Sequence, residues 1–137
     1  MIVWLDGTLL PDEDAAISID DRGFLFADAV FETALLHDGG FYRLREHLDR
    51  FARSAATMRI DAPDSGAVDR IVRAVVRANE LRHANIRITL TRGVVNPVLL
   101  VTARPRDPAR TTAAPAGWRI VTARTRRPST AAVPAQL

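Results

Sequence analysis

Val30-Phe-Glu-Thr-Ala-Leu-Leu-His-Asp-Gly-Gly-Phe-Tyr-Arg43 runs straight into Leu44-Arg-Glu-His-Leu-Asp-Arg50-Phe-Ala-Arg-Ser-Ala-Ala-Thr-Met-Arg-Ile60. The first part reads as a hairpin. Residues 30–37 form a strand, Asp38-Gly-Gly40 tolerates the positive φ of a tight turn, and Phe41-Tyr-Arg43 pairs back. The second part reads as a helix over residues 44–60. Leu44, Leu48, Phe51, Ala52, Ala55 and Met58 recur at helical spacing and make one apolar stripe. Both alternating phases of residues 29–36 are mostly apolar, which predicts a strand covered on both faces. Glu32 interrupts one phase. A buried carboxylate needs donors, so Glu32 is expected to meet an arginine, a histidine or backbone N–H groups. The alternative is an exposed sheet edge.

Outward from this core, residues 2–5 and 8–10 flank Asp6-Gly7, a strong two-residue hairpin signal. Pro11-Asp-Glu-Asp14 is a polar loop, residues 15–19 suggest a short strand, and Asp20-Asp-Arg-Gly23 is turn-like. A second helix is expected over residues 65–79. Asp64 or Ser65 is its N-cap, and Val68, Ile71, Val72, Val75 and Val76 form its apolar face. Residues 85–91 alternate, with Ile86, Ile88 and Leu90 on one face and Arg87, Thr89 and Thr91 on the other. Arg92-Gly-Val-Val-Asn-Pro97 is a turn, residues 98–103 are a strand, and residues 118–123 are a last strand candidate. Residues 126–137 hold two prolines and no periodicity. Hairpins and two helices segregated along the chain predict an α+β fold, an antiparallel sheet with two helices packed on one face. The expected organisation is one α+β domain over residues 1–125 and a linker over residues 126–137.

Composition narrows the chemistry. The chain has 137 residues, 47% apolar and 26% charged, which suits one folded domain and not a disordered segment. It has no cysteine, which excludes a disulfide framework, a thiolate metal site and a cysteine nucleophile among these residues. All 19 basic residues are arginine. Chemistry that needs an amine for a Schiff base therefore has no candidate here. Residues 1–80 carry 9 arginines against 15 acids, and residues 81–137 carry 10 arginines against Asp107 alone. The basic half is a poor nucleic-acid surface, because its arginines are dispersed and Trp118 is its one aromatic residue for stacking. No apolar run is long enough for a membrane span and no secretory leader is visible, so a cytoplasmic protein without nucleic-acid or membrane partners is expected.

Few residues could carry chemistry. His47, Arg50 and Ser54 form a stripe beside the apolar face of the first helix, where they can look into a cleft at the sheet edge. The planar fork of Arg50 suits a phosphate. The plainer reading is a solvated flank with Glu46 and Arg50 as an i,i+4 pair. Arg92, in phase with Ile86, Ile88 and Leu90, points to the covered face at the strand end. There it either binds a carboxylate or phosphate or snorkels past the sheet. Phe26 and Phe31 could line an apolar pocket or be plain core. No phosphate-binding glycine loop, dinucleotide fingerprint, metal-spaced histidine pair or nucleophile elbow is present.

Asp21-Arg-Gly-Phe-Leu-Phe-Ala-Asp-Ala-Val-Phe-Glu-Thr33, Arg45-Glu-His-Leu-Asp-Arg50 and Thr91-Arg-Gly93 together resemble class IV (fold-type IV) pyridoxal-phosphate enzymes. The wording is closest to the D-amino-acid aminotransferase and aminodeoxychorismate lyase branch. The resemblance implies pyridoxal 5′-phosphate as cofactor, an amino acid and a 2-oxo acid as small-molecule substrates, and a homodimer. It implies that Arg50 holds the cofactor phosphate and that Phe31 and Phe26 line the substrate pocket, with Arg92 as a further substrate-side residue. Pyruvate elimination by a lyase, and a non-catalytic interaction domain, are the alternatives. The family's Gly-Asp-Gly is Ala27-Asp-Ala29 here, and the loop after Gly93, which grips the substrate carboxylate in relatives, is short. The family's lysine follows a segment like residues 126–137, so the resemblance implies an N-terminal part whose catalytic domain is absent from this chain.

Overall fold

The structure is a computed structural model and describes residues 1–107, 120–122 and 125. Residues Met1–Arg106 form one compact unit. It contains strands β1 (Ile2–Leu5) and β2 (Thr8–Pro11), helix α1 (Arg22–Phe26), strands β3 (Ala29–His37) and β4 (Gly40–Tyr42), helices α2 (Leu44–Met58) and α3 (Ser65–Ala78), and strands β5 (Ala84–Thr91) and β6 (Val98–Pro105). The six strands form one antiparallel sheet in the order β2-β1-β6-β5-β3-β4. The α+β expectation holds.

The two expected helices pack together on one face of the sheet. From α2 come Leu44, Leu48, Phe51 and Ala55, and from α3 come Val68, Val72 and Val75. They meet Val30, Ala34 and Leu36 of β3 and Ile86, Ile88 and Leu90 of β5. Asp64 caps α3, its carboxylate accepting from the Ala67 N–H at 3.0 Å. That satisfies one of the donors a helix start leaves unpaired. α2 begins after Arg43 and ends at Arg59, both in the left-handed region.

Four expectations are corrected. Residues 15–19 form no strand, and Asp20-Asp-Arg-Gly23 leads into the short helix α1, nucleated by the Asp21 side chain. β3 is not covered on both faces: its burial alternates along its whole length, and Phe31 is 58% exposed. The apolar residues of the second phase face the side of the sheet away from α2 and α3. Residues 120–122 are in no strand, and Ile120 and Val121 are exposed. Positions 118, 119 and 123 of the expected last strand, and the expected linker at 126–137, lie outside the described residues.

Candidate functional site

β4 pairs with β3 only from Leu35 to His37. Among the described residues, β3 therefore has a strand partner on one side only from Ala29 to Ala34, β5, and forms an open sheet edge there. Successive side chains of a strand point to opposite faces. At this edge Glu32 points towards the helices and Phe31 points away.

Glu32 is 5% exposed, a position where a carboxylate must be fully partnered. Its partners come from one turn of α2. The Arg50 fork bridges both oxygens, Nε to Oε1 and Nη2 to Oε2, the latter at 2.6 Å. His47 Nδ1 is 2.9 Å from Oε2. Burial pushes the Glu32 carboxyl up, but the hydrogen bonds from Arg50 and then His47 outweigh it and hold it below its usual range. The ionised carboxylate accepts, so Nδ1 carries the His47 proton and the tautomer is set by Glu32. Glu32 thus lies at a sheet edge but is buried there, and it meets both an arginine and a histidine. The expected Glu46–Arg50 pair is replaced by Glu32–Arg50. The Arg50 side chain remains 60% exposed, and its Nη1 has no protein acceptor among the described residues.

Arg92 is placed differently. It points to the helix side, as its phase required, but reaches protein acceptors there. Nε and Nη2 bind Asp28 at 2.6 and 3.1 Å, while Nη1 and Nη2 bind the Arg59 and Met58 carbonyls at 2.9 and 2.7 Å. Four of its five N–H groups are taken. Those carbonyls belong to the end of α2, where unpaired C=O groups favour a cation. Asp28 also accepts from Arg22 Nε at 3.1 Å. The hydrogen bond from Arg92, followed by that from Arg22, holds the Asp28 carboxyl low against its burial.

Phe26 and Phe31 are both exposed, and each carries an arginine. Arg22 lies 5.2 Å from the centre of the Phe26 ring and Arg87 lies 3.9 Å from that of Phe31. The structure thus brings Arg50 and Phe31 to one stretch of β3, on opposite faces. It links Phe26 to Arg92 through Arg22 and Asp28.

Sequence reading missed the buried support of this region. Asp21, 1% exposed, accepts from the Gly23 and Phe24 N–H groups at 2.6 and 3.2 Å and from the Thr91 hydroxyl at 2.6 Å. Thr91 Oγ1 accepts the Gly93 N–H at 3.1 Å, and the Arg22 N–H donates to the Gly93 carbonyl at 3.1 Å. A Cβ at Gly23 would lie 2.7 Å from Thr91, and one at Gly93, where φ is +68°, would lie 1.7 Å from the Asn96 oxygen. Asp-Arg-Gly and Thr-Arg-Gly are two halves of one junction. Its only sequence signal was the shared Arg-Gly pair, which does not say that the two meet.

A sequence profile of the family described as amino-transferase class IV matches residues 29–137. A putative branched-chain-amino-acid aminotransferase of Methanocaldococcus jannaschii is 40% identical over 96 residues, 69% of this chain and 33% of the relative. A D-alanine aminotransferase of Listeria monocytogenes is 37% identical over 98 residues, 71% of this chain and 34% of the relative. The chain spans about a third of the length of these curated relatives. Among solved structures, a branched-chain amino acid aminotransferase from Escherichia coli shares the fold. Its TM-score is 0.72 at 25% identity, covering 77% of this chain and 41% of that one.

Proposed function

The chain belongs to the class IV aminotransferase family, and from that premise we propose that its protein transfers an amino group between an amino acid and a 2-oxo acid with pyridoxal 5′-phosphate. In this reading residues 1–125 are the N-terminal domain of the enzyme and residues 126–137 lead on from it. The observation that supports it best is Arg50. Glu32 grips one edge of its guanidinium and leaves Nη1, on a largely exposed side chain, at the open edge of β3. A cation held in one orientation, with two free N–H groups, fits a phosphate oxygen.

When bound, the cofactor supplies an electron sink for bond breaking at the substrate α-carbon. Arg50 would hold the phosphate. Glu32 would fix the fork and keep the His47 proton on Nδ1. Phe31 would wall the substrate side of the strand and exclude water, and Phe26 would extend that wall. Arg92, with four N–H groups committed, is reassigned to holding Asp28 against the end of α2. These residues include no lysine and so supply no amine for a Schiff base. A homodimer belongs to the same reading, supported by the exposure of Phe24 and Phe26 on α1 and of Val95 in the loop after Gly93. So does a cytoplasmic location, without nucleic-acid or membrane partners.

The test is cofactor dissociation from the full-length protein. Arg50→Ala alone would leave Glu32 buried with one partner, so it is paired with Glu32→Gln. The double variant should bind pyridoxal 5′-phosphate about tenfold to a hundredfold more weakly than Glu32→Gln alone, the range for a charge-assisted pair. Equal affinity of the two variants would make Arg50 a structural ion-pair residue and remove the main support. Sedimentation at micromolar concentration tests the dimer, and a monomer there counts against it.

A further inference from the structure

Two turns of the chain meet at the end of β3 away from Ala29. One is Asp38-Gly39, which links β3 to β4 with φ of +49° and +78°, and the other is Arg82-His83, which enters β5. Three contacts fasten them. The Asp38 N–H donates to His83 Nδ1 at 3.2 Å, the Gly39 N–H donates to the Arg82 carbonyl at 2.9 Å, and the Arg82 guanidinium binds the Asp38 carboxylate. The last is an exposed ion pair, which adds little. His37, the last residue of β3, sets its ring edge-on against His83, with ring centres 5.0 Å apart.

A backbone N–H only donates, so the first contact fixes the state of the His83 ring. Nδ1 offers its lone pair, and the proton of the neutral ring sits on Nε2. A second proton would go to Nδ1, turn the acceptor into a donor and leave two N–H groups facing each other. His47 is the opposite case. Its Nδ1 partner is the Glu32 carboxylate, an acceptor, so a second proton on its Nε2 leaves that bond intact. Among the described residues, the charged and titratable groups around His83 are His37 from β3, Asp38 from the turn and Arg82 beside it. Arg106, after β6, approaches through its N–H, which donates to the His83 carbonyl at 3.1 Å, and Asp107 follows it.

We propose that His83 is a pH-sensitive latch on the β3–β4 turn: neutral, it holds the Asp38 N–H, and the proton it gains on acidification frees the turn from the start of β5. Imidazole is the side chain that changes charge between about pH 5 and 8. The bond belongs to the neutral ring, so the latch is closed at the alkaline end of that range and opens as pH falls. Asp38 does not titrate with it. The hydrogen bond from Arg82 holds the Asp38 carboxyl below its usual range, so it stays ionised throughout, with its charge already met by Arg82. The charge that His37 gains over the same range repels the His83 imidazolium and adds to the release. The strand that is freed is short. β4 has three residues and pairs with β3 only from Leu35 to His37. α2, which follows it, is seated separately by Leu48, Phe51 and Ala55, so the opening stops at the turn and β4.

The experiment is NMR on the full-length protein and its His83→Asn variant between about pH 5.5 and 7.5. Nitrogen spectra of the imidazoles should place the proton of neutral His83 on Nε2 and that of His47 on Nδ1, the His83 signals being those missing from the variant. In the parent, the Asp38 amide proton should shift with the same midpoint as the His83 ring. Once corrected for the pH dependence of free amides, its exchange with solvent should be about threefold to tenfold faster at the acid end, the range for losing one hydrogen bond. His83→Asn puts an oxygen that cannot titrate where Nδ1 stands. It should keep the Asp38 amide protected at both ends of the range and abolish the shared midpoint. Three results would each overturn the proposal. One is a neutral His83 ring with its proton on Nδ1. Another is equal protection of Asp38 across the range in the parent, as when the imidazolium takes the Asp38 carboxylate and holds the turn by that route. The third is an undiminished pH response of the Asp38 amide in His83→Asn. The first two are read from the parent protein and do not depend on the variant folding.

Discussion

Asp21 shows how much one side chain can join. It starts α1 through two backbone N–H groups and ties that helix to the end of β5 through Thr91. Asp21→Ala leaves three donors without their acceptor, the buried Thr91 hydroxyl and two N–H groups at the start of α1. At about 1–3 kcal/mol for an unsatisfied buried group, the expected loss is about 2–4 kcal/mol, read from urea unfolding. Asp21→Asn should lose less. A variant as stable as the parent would mean that water replaces the carboxylate. Glu32 predicts a pH dependence with a definite sign. Its folded pKa is held below the unfolded value of about 4.3, so its stabilisation is complete above that value. The stabilisation is lost as pH falls through the lower folded value. The urea midpoint should therefore fall below about pH 4, and Glu32→Gln should flatten that slope while lowering stability at neutral pH. An equal slope in the variant would assign the acid sensitivity to other carboxylates.

Among the elements, α2 and β3 do most of the positioning. Phe51, 2% exposed, seats α2 on the sheet, while His47 and Arg50 on its flank reach Glu32. Phe51→Ala should destabilise by about 3–5 kcal/mol, as large-to-small core changes do. Cofactor binding should fail only to the extent that the domain unfolds, which thermal melts with and without pyridoxal 5′-phosphate would show. α3 is a control element, with no residue at the site. Asp64→Ala removes its N-cap bond and should cost about 1 kcal/mol with no change in cofactor affinity. A change in affinity there would mean that α3 couples to the site through the core it shares with α2.

Across the whole molecule the sheet has two unlike faces. One is sealed by α2 and α3, and the other presents Phe31 and Arg87, with α1 packed over Thr91 at its end. The proposed site lies at the border between them, where β4 stops and β3 is open. Since these residues include no lysine, the 137-residue chain alone should show no amino transfer between alanine and 2-oxoglutarate in a coupled assay. Turnover by the isolated chain would contradict the proposed division of labour between this part and the rest of the enzyme.

Periodicity alone determined the hairpins, both long helices, the core stripes and the need of Glu32 for donors, because each depends on residues close in the chain. Motif wording marked Arg50, Phe31, Phe26 and Arg92. The tertiary structure decided what each of them touches. Strand register put Arg87 beside Phe31, 56 positions away in sequence. Chain folding brought Asp28 to Arg92, which turned an expected ligand-binding arginine into the clamp on α2. It also set Glu32 opposite Arg50 instead of leaving Arg50 to Glu46. The periods 3.6 and 2 assign a residue to a face, but its partner on that face comes from whichever element packs there. That choice rests on the burial of apolar area over the whole chain, which no local pattern contains.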